Sequence, residues 1–239
     1  MGRLSAVVSC EHASNRIPPG IDLGLPRRVL ETHVAWDIGS PAVAKRLAMA
    51  LACPLHLGTV SRLVVDLNRS VRHPRLAARH LDGNEVPGNA RLGRAGREER
   101  VRAYHVPYRD AVLADLTSAM HDGGTALHLS VHSFTPVFGA VRRMADVGLL
   151  YDPSRAPERQ LAVRLAAGLA ADGLRVRRNY PYRGTSDGFT SWLRKSHGPR
   201  RYVGIEIEAN QALLAQAGQG RRLADRLAAL VKDEVGRRG

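Results

Sequence analysis

At 239 residues, 44% hydrophobic and 24% charged, the chain holds enough apolar material for one large α/β core, and no apolar run approaches the ~18–20 residues that would span a bilayer. The formal net charge is +14, yet of 36 basic residues only Lys45, Lys195 and Lys232 are lysine, the arginines are spread along the chain and aromatics reach only 5%. That pattern argues against a nucleic-acid groove, where basic residues cluster on one element among aromatics. No charged-then-apolar leader precedes the first strand and Cys10 and Cys53 make no zinc-ribbon spacing, so a reducing, cytoplasmic setting is expected.

The elements alternate. Leu4 to Cys10 is predicted as a buried strand, and Ser40-Pro41 as the N-cap and first position of a helix reaching about Leu51. Pro54 to Gly58 and Arg62 to Asp66 are predicted as short strands, and Val71 to Gly96, rich in Gly, Pro, Asn and Arg, as a long functional loop. Helical spacing runs from Arg97 to His121, with Pro107 marking a kink or the true start. Further strands are expected at Ala126 to Val131, Gly148 to Tyr151, Arg175 to Asn179 and Tyr202 to Glu208. Helices are expected at Pro157 to Asp172, ended by Gly173, and at Gln219 to Arg237. Without repeats or a linker this reads as a single domain over 1–239, of α/β class, with a largely parallel sheet covered on both faces.

In such sheets ligands bind beyond the carboxyl ends of the strands. Four polar clusters are predicted there. The segment Ser61 to Ser70 ends an apolar run in Asp66, Asn68, Arg69 and Ser70, with Arg62 at its head. Two guanidiniums and an amide on one edge make a multi-donor cradle suited to a carboxylate. Cys10-Glu11-His12 and His132-Ser133 each place a histidine at a strand terminus, where one ring nitrogen can reach a metal and the other a supporting acceptor. His33 and Asp37 add further candidate ligands, and two histidines with one carboxylate is a usual catalytic zinc composition. By alternation Gly204, Glu206 and Glu208 share one face of their strand, and Glu206 is the candidate general base. His128 shares a face with Ser130 and His132 and is read as structural, and a Cys10 thiol nucleophile lacks an orienting third group. Each cluster taken alone has a plainer alternative, such as a solvated turn, a satisfied buried histidine or an outer strand face.

These motifs together resemble the N-formylglutamate amidohydrolase family. The resemblance rests on Cys10 to Pro18, His33 to Gly39, Ser61 to Arg69, His132 to Pro136, Gly148 to Tyr151, Asn179 to Gly184 and Val203 to Ile207. It implies a phosphorylase/hydrolase-like three-layer fold with a mixed, largely parallel central sheet, shared with zinc carboxypeptidases and aspartoacylase. It also implies one divalent metal, zinc by expectation, held by His12 and His132. The His-x-x-Glu of the zinc carboxypeptidases and aspartoacylase is broken here, since Asn15 follows His12 by three, so Asp37 is taken as the third ligand with Glu11 its rival. Asn68 and Arg69 would then bind the substrate carboxylate, Arg62 polarise the carbonyl, and Arg142, Arg143 or Arg183 hold a second carboxylate. The implied partner is a small anionic N-acyl amino acid such as N-formylglutamate, not a membrane and not nucleic acid. A hydrolase of another N-acyl amino acid or peptide, and a non-catalytic carboxylate or nucleic-acid binder, are the alternatives.

Overall fold

The computed structural model describes residues 4–237. Six strands form the main sheet: β1 (Leu4–Cys10), β2 (Leu55–Leu57), β3 (Thr125–Phe134), β4 (Val147–Leu150), β5 (Val176–Arg178) and β6 (Tyr202–Asn210). Their order is β2-β1-β3-β6-β4-β5. The pairs β2-β1, β1-β3 and β3-β6 are parallel, β6-β4 is antiparallel, and β4-β5 is parallel again. The longer helices are α1 (Ser40–Leu51), α2 (Arg94–Arg100), α3 (Val106–Ala119), α4 (Ala156–Ala171), α5 (Phe189–Ser196) and α6 (Gln219–Gly236). The mixed, largely parallel sheet between helical layers is the architecture expected.

The two faces of the sheet differ because every strand residue alternates sides. On one face Val8 and Cys10, Leu127, Leu129 and Val131, and Val203, Ile205 and Ile207 make a continuous apolar surface. It packs against α1, α4 and α6 through residues such as Leu47, Leu165 and Leu227. Each such buried aliphatic side chain contributes roughly 1.5–3 kcal/mol. The opposite face begins apolar, with Val7, Ala126 and Tyr202 against Val112 and Leu116 of α3 and Phe189 and Leu193 of α5. It then turns polar towards the carboxyl ends of the strands. Ser9 lies beside Ser130, Ser130 beside Glu206, and His132 beside Glu208. All of these are buried. A polar row this deep must have partners or a task.

Several expectations need correction. The run Arg62 to Asp66 is not a strand. Its Val64 and Val65 N–H groups donate to the Ser61 carbonyl and its Asp66 N–H to Leu76 O, so the backbone is satisfied as turns. Leu63, Val64, Val65 and Leu67 instead fill a separate apolar cluster with Leu23, Val34 and Val86. Ser40 is the first helical residue rather than the cap; Gly39, at φ 83°, takes that place. The 71–96 stretch contains two short helical turns and a two-stranded ribbon, and α2 already starts at Arg94. Pro107 follows a π-helical turn at Val101–His105, which joins α2 to α3. Helix α5, whose Phe189, Trp192 and Leu193 fall at helical spacing, is an element beyond those expected from the sequence.

Candidate active site

Three side chains converge where the polar face meets the carboxyl ends of β1 and β3. His12 follows β1, His132 lies near the carboxyl end of β3, and Asp37 precedes α1. Asp37 is fixed from both sides. Its N–H donates to His12 O at 3.0 Å, and its carbonyl accepts from Ser40 Oγ at 2.8 Å. Its Oδ2 lies 3.3 Å from His12 Nδ1 and 2.8 Å from His132 Nδ1. One ligand-type atom from each of the three falls within 4.8 Å of the others.

The far nitrogen of each ring is also engaged. His12 Nε2 donates to Asp66 Oδ1 at 2.7 Å, and His132 Nε2 to Glu11 Oε2 at 3.0 Å. A carboxylate on Nε2 holds a proton there, so Nδ1, which faces Asp37, is the nitrogen that can give up its proton and turn a lone pair to a metal, the support usual behind metal-ligating histidines. Ser130 Oγ donates to Glu11 Oε2 at 2.6 Å and Tyr108 OH to Glu11 Oε1 at 3.1 Å, so Glu11 stands behind His132 and outside the triad. The donor set of two imidazoles and a carboxylate, with both rings backed by acids, can hold a metal ion.

The electrostatics follow from this packing. Burial raises the Asp37 pKa, but the His12 charge and hydrogen bonds from both histidines outweigh it and leave the acid well below its usual range. Burial likewise works against Asp66 and Glu11, and His12 with Arg62 for the first and His132 for the second reverse the sign. Burial disfavours the charge of His12 and of His132. Asp66 and Asp37 nonetheless raise the first, and Asp37 and Glu11 raise the second well above its ordinary value.

A cleft of about 280 Å³ opens above the triad. Arg62, Asn68 and Arg69 line it, together with Glu206 and Glu208. Arg62 spans the floor, with Nη1 at 3.4 Å from Asp37 Oδ1 and Nη2 at 3.4 Å from Asp66 Oδ2, while its Nε is buried without a hydrogen-bond partner among the described residues. Asn68 Oδ1 accepts from the Phe189 N–H at 2.7 Å, which leaves its Nδ2 as the free end. Glu206 accepts a hydrogen bond from Thr190 Oγ1. Glu208 pairs in register with His132, one rung nearer the triad, and its Oε2 is buried without a hydrogen-bond partner among the described residues. Burial, aided by Asp37 and Glu206 against the pull of His132, pushes its carboxyl up to about 7.

The remaining expected residues divide. Arg183 lines the cleft, whereas Arg142 sits exposed on the Val137–Phe138/Val141–Arg142 ribbon and is absent from the cleft wall. Arg143 packs its guanidinium 4.6 Å over the Phe138 ring and 5.4 Å from that of Tyr182. His33 lies apart from the triad, 3.5 Å from Asp82. Cys10 is fully buried against Ser40, and burial pushes its thiol up to about 12, so it is no nucleophile. Sequence reasoning did not find the supporting role of Asp66, nor the cleft residues Arg75 and Tyr182. Their distance along the chain from the histidines gave no local signal.

Residues 4–215 match the model of the N-formylglutamate amidohydrolase family. Among solved structures, the gene product Atu2144 from Agrobacterium tumefaciens is 33% identical, with 98% of this chain and 91% of that one covered at a TM-score of 0.87. The N-formylglutamate amidohydrolase from Ralstonia eutropha JMP134 is 20% identical over 100% of this chain and 96% of that one, at a TM-score of 0.78. An N-acetylmuramoyl-L-alanine amidase from Clostridium difficile 630 shares the fold at 15% identity and a TM-score of 0.50, with 100% of each chain covered. No curated protein matches the sequence.

Proposed function

The chain belongs to the N-formylglutamate amidohydrolase family and is a hydrolase of linear amide bonds, and from that premise we propose that it is metal-dependent and removes an N-formyl or other small N-acyl group from an acidic amino acid such as N-formylglutamate. The observation that carries the reading is the meeting of His12, Asp37 and His132 at the floor of a cleft whose wall offers Arg62, Asn68 and Arg69. Zinc is the ion whose usual ligands these are. A divalent ion held by the three would supply Lewis acidity to the scissile carbonyl and the attacking water.

The protein's own groups do the rest. Asn68 Nδ2 and the Arg69 guanidinium hold the α-carboxylate, and Arg183 and Arg75 in the cleft wall meet a second carboxylate. The Arg62 guanidinium faces the carbonyl and stabilises the charge that develops on its oxygen. For the base, we choose Glu208 over the Glu206 expected from sequence. Glu208 stands beside His132 with an oxygen that has no hydrogen-bond partner among the described residues, whereas Glu206 sits a rung deeper and is engaged by Thr190. Glu208 accepts the proton of the attacking water and returns it to the departing amine.

Elemental analysis of purified protein, coupled to a primary-amine release screen over N-formyl and N-acetyl amino acids, tests the reading. The expected result is about one zinc per chain and fastest release from an N-formyl acidic amino acid. Full activity in stringently chelated protein would refute metal dependence, and faster release from neutral N-acyl amino acids would refute the substrate class.

A further inference from the structure

The turn that carries Asn68 and Arg69 belongs to no helix or strand, yet its backbone is held at every carbonyl from Leu67 to Arg69. Arg109 of α3 donates from Nε to Leu67 O at 3.0 Å, and from Nη2 to Asn68 O at 3.0 Å and to Arg69 O at 2.9 Å. His105, four residues earlier and therefore on the same helix face, donates from Nε2 to Arg69 O at 2.8 Å. The π-helical turn Val101–His105 ends at this histidine, and such turns re-aim side chains where a helix serves a site.

Arg109 is a costly residue to place here. It is only 7% exposed, its hydrogen bonds go to carbonyls, and no ion pair joins it to an acid among the described residues. Its guanidinium lies 4.5 Å from the Phe189 ring centroid and 5.8 Å from that of Trp192. A buried cation costs several kcal/mol unless its surroundings repay it, and here the return is geometric. The same Phe189 donates its N–H to Asn68 Oδ1, so the stacked arginine, α5 and the asparagine form one connected unit. The negative ends of three carbonyl dipoles are turned towards Arg109, which does not line the cleft.

We propose that Arg109, assisted by His105, is a positioning residue for carboxylate recognition. It holds the 67–69 backbone so that Asn68 Nδ2 and the Arg69 guanidinium meet one anion together. This rests on the reading of Asn68 and Arg69 as the α-carboxylate site. A misplacement of about 1 Å in such a pair costs up to ~10²-fold.

The test compares wild type with Arg109→Gln, Arg109→Lys and Arg69→Ala, each checked for secondary structure and metal content. Calorimetry measures binding of L-glutamate and of its α-amide, and kinetics give kcat and KM for N-formyl-L-glutamate. Arg109→Gln is expected to raise Kd for L-glutamate and KM by ~10–100-fold, to leave the weak α-amide binding unchanged and to move kcat by less than about 3-fold. Arg109→Lys, which keeps the charge but cannot reach all three carbonyls, should fall between. A purely structural role would lower kcat and the binding of both ligands alike, and would overturn the proposal. So would wild-type glutamate affinity in Arg109→Gln when Arg69→Ala has lost it, with the carboxylate site itself left standing. If Arg69→Ala also binds glutamate normally, the carboxylate site is wrong and the proposal falls with it. Should Arg109→Gln not fold, Arg109→Lys and His105→Gln carry the same comparison.

Discussion

His128 and His132 lie four residues apart on the same face of β3, both buried, and their surroundings give them opposite character. His128 sits between two hydroxyls, Ser9 Oγ at 2.7 Å from Nε2 and Tyr202 OH at 2.8 Å from Nδ1. Hydroxyls donate or accept as needed, so either neutral tautomer is satisfied, and burial pushes the pKa down to about 4. His132 sits between Glu11 and Asp37, which favour positive charge at the ring and would equally favour a cation beside it. A strand can therefore present two histidines of the same orientation, one as core and one as ligand. The partner atoms decide which is which.

The sharpest way to break this contrast is to remove each ring. His132→Ala should abolish stoichiometric metal and reduce turnover to background, whereas His128→Gln should keep about one metal per chain. Elemental analysis of both variants checks it, and metal retained in His132→Ala would overturn the assignment. Next in size, Glu208→Gln should lower kcat by ~10²–10⁴-fold with metal content unchanged, and Glu206→Gln should lower it less. The reverse order in steady-state kinetics would return the base to Glu206.

A third effect reports on protonation alone. Because the folded pKa of His128 is depressed to about 4, the unfolded state takes up its proton first, and this residue's contribution to stability falls as pH drops from about 6.5 towards 4, against an opposite slope from Glu208, whose carboxyl is raised to about 7. The full change is roughly 3 kcal/mol. His12 and His132, whose pKa values are raised, add no slope there, since their contribution is complete below about 6.5 and is lost only as pH rises through the folded values. Denaturant melts at several pH values should show wild type losing more stability than His128→Gln between about pH 6.5 and 4; identical pH dependence would contradict it. Smallest, Asp66→Asn and Glu11→Gln should each weaken metal affinity by ~10–100-fold while activity at saturating metal is largely kept. Competition with a chromogenic chelator measures this directly, and unchanged affinity in both would remove the acids from the support of the site.

The sequence exposed the sheet because a mostly apolar run of strand length such as Leu4 to Cys10, and an alternating one such as Val203 to Glu208, both read as buried strands. It misled at Arg62 to Asp66, where an apolar run of strand length serves a separate cluster through turns stapled by Ser61 and Leu76. His12 and His132 were legible as candidate ligands from residue type and position at strand ends, whereas Asp37, in the turns before α1, was taken as the third ligand only because Asn15 stands where the resemblance calls for a glutamate. The choice between Glu206 and Glu208 was not. Alternation gives both the same face, and only the register with β3 says which stands beside His132. Asp66 and Arg109 were hidden for a related reason, as each acts on residues about 40 or more positions away.

The cleft has a floor and a wall of different construction. His132 and Glu208 sit in the central strands, and His12 and Asp37 are tethered beside them through hydrogen bonds with Asp66, His132 and each other. Phe138 in the wall belongs to the small Val137–Phe138/Val141–Arg142 ribbon inserted between β3 and β4. That ribbon shares no strand pairing with the main sheet. Its length and residues can therefore drift without disturbing the register that sets the floor. A change at this wall need not pass through the sheet: Phe138 can be exchanged on its ribbon while the strands that carry His132 and Glu208 keep their places.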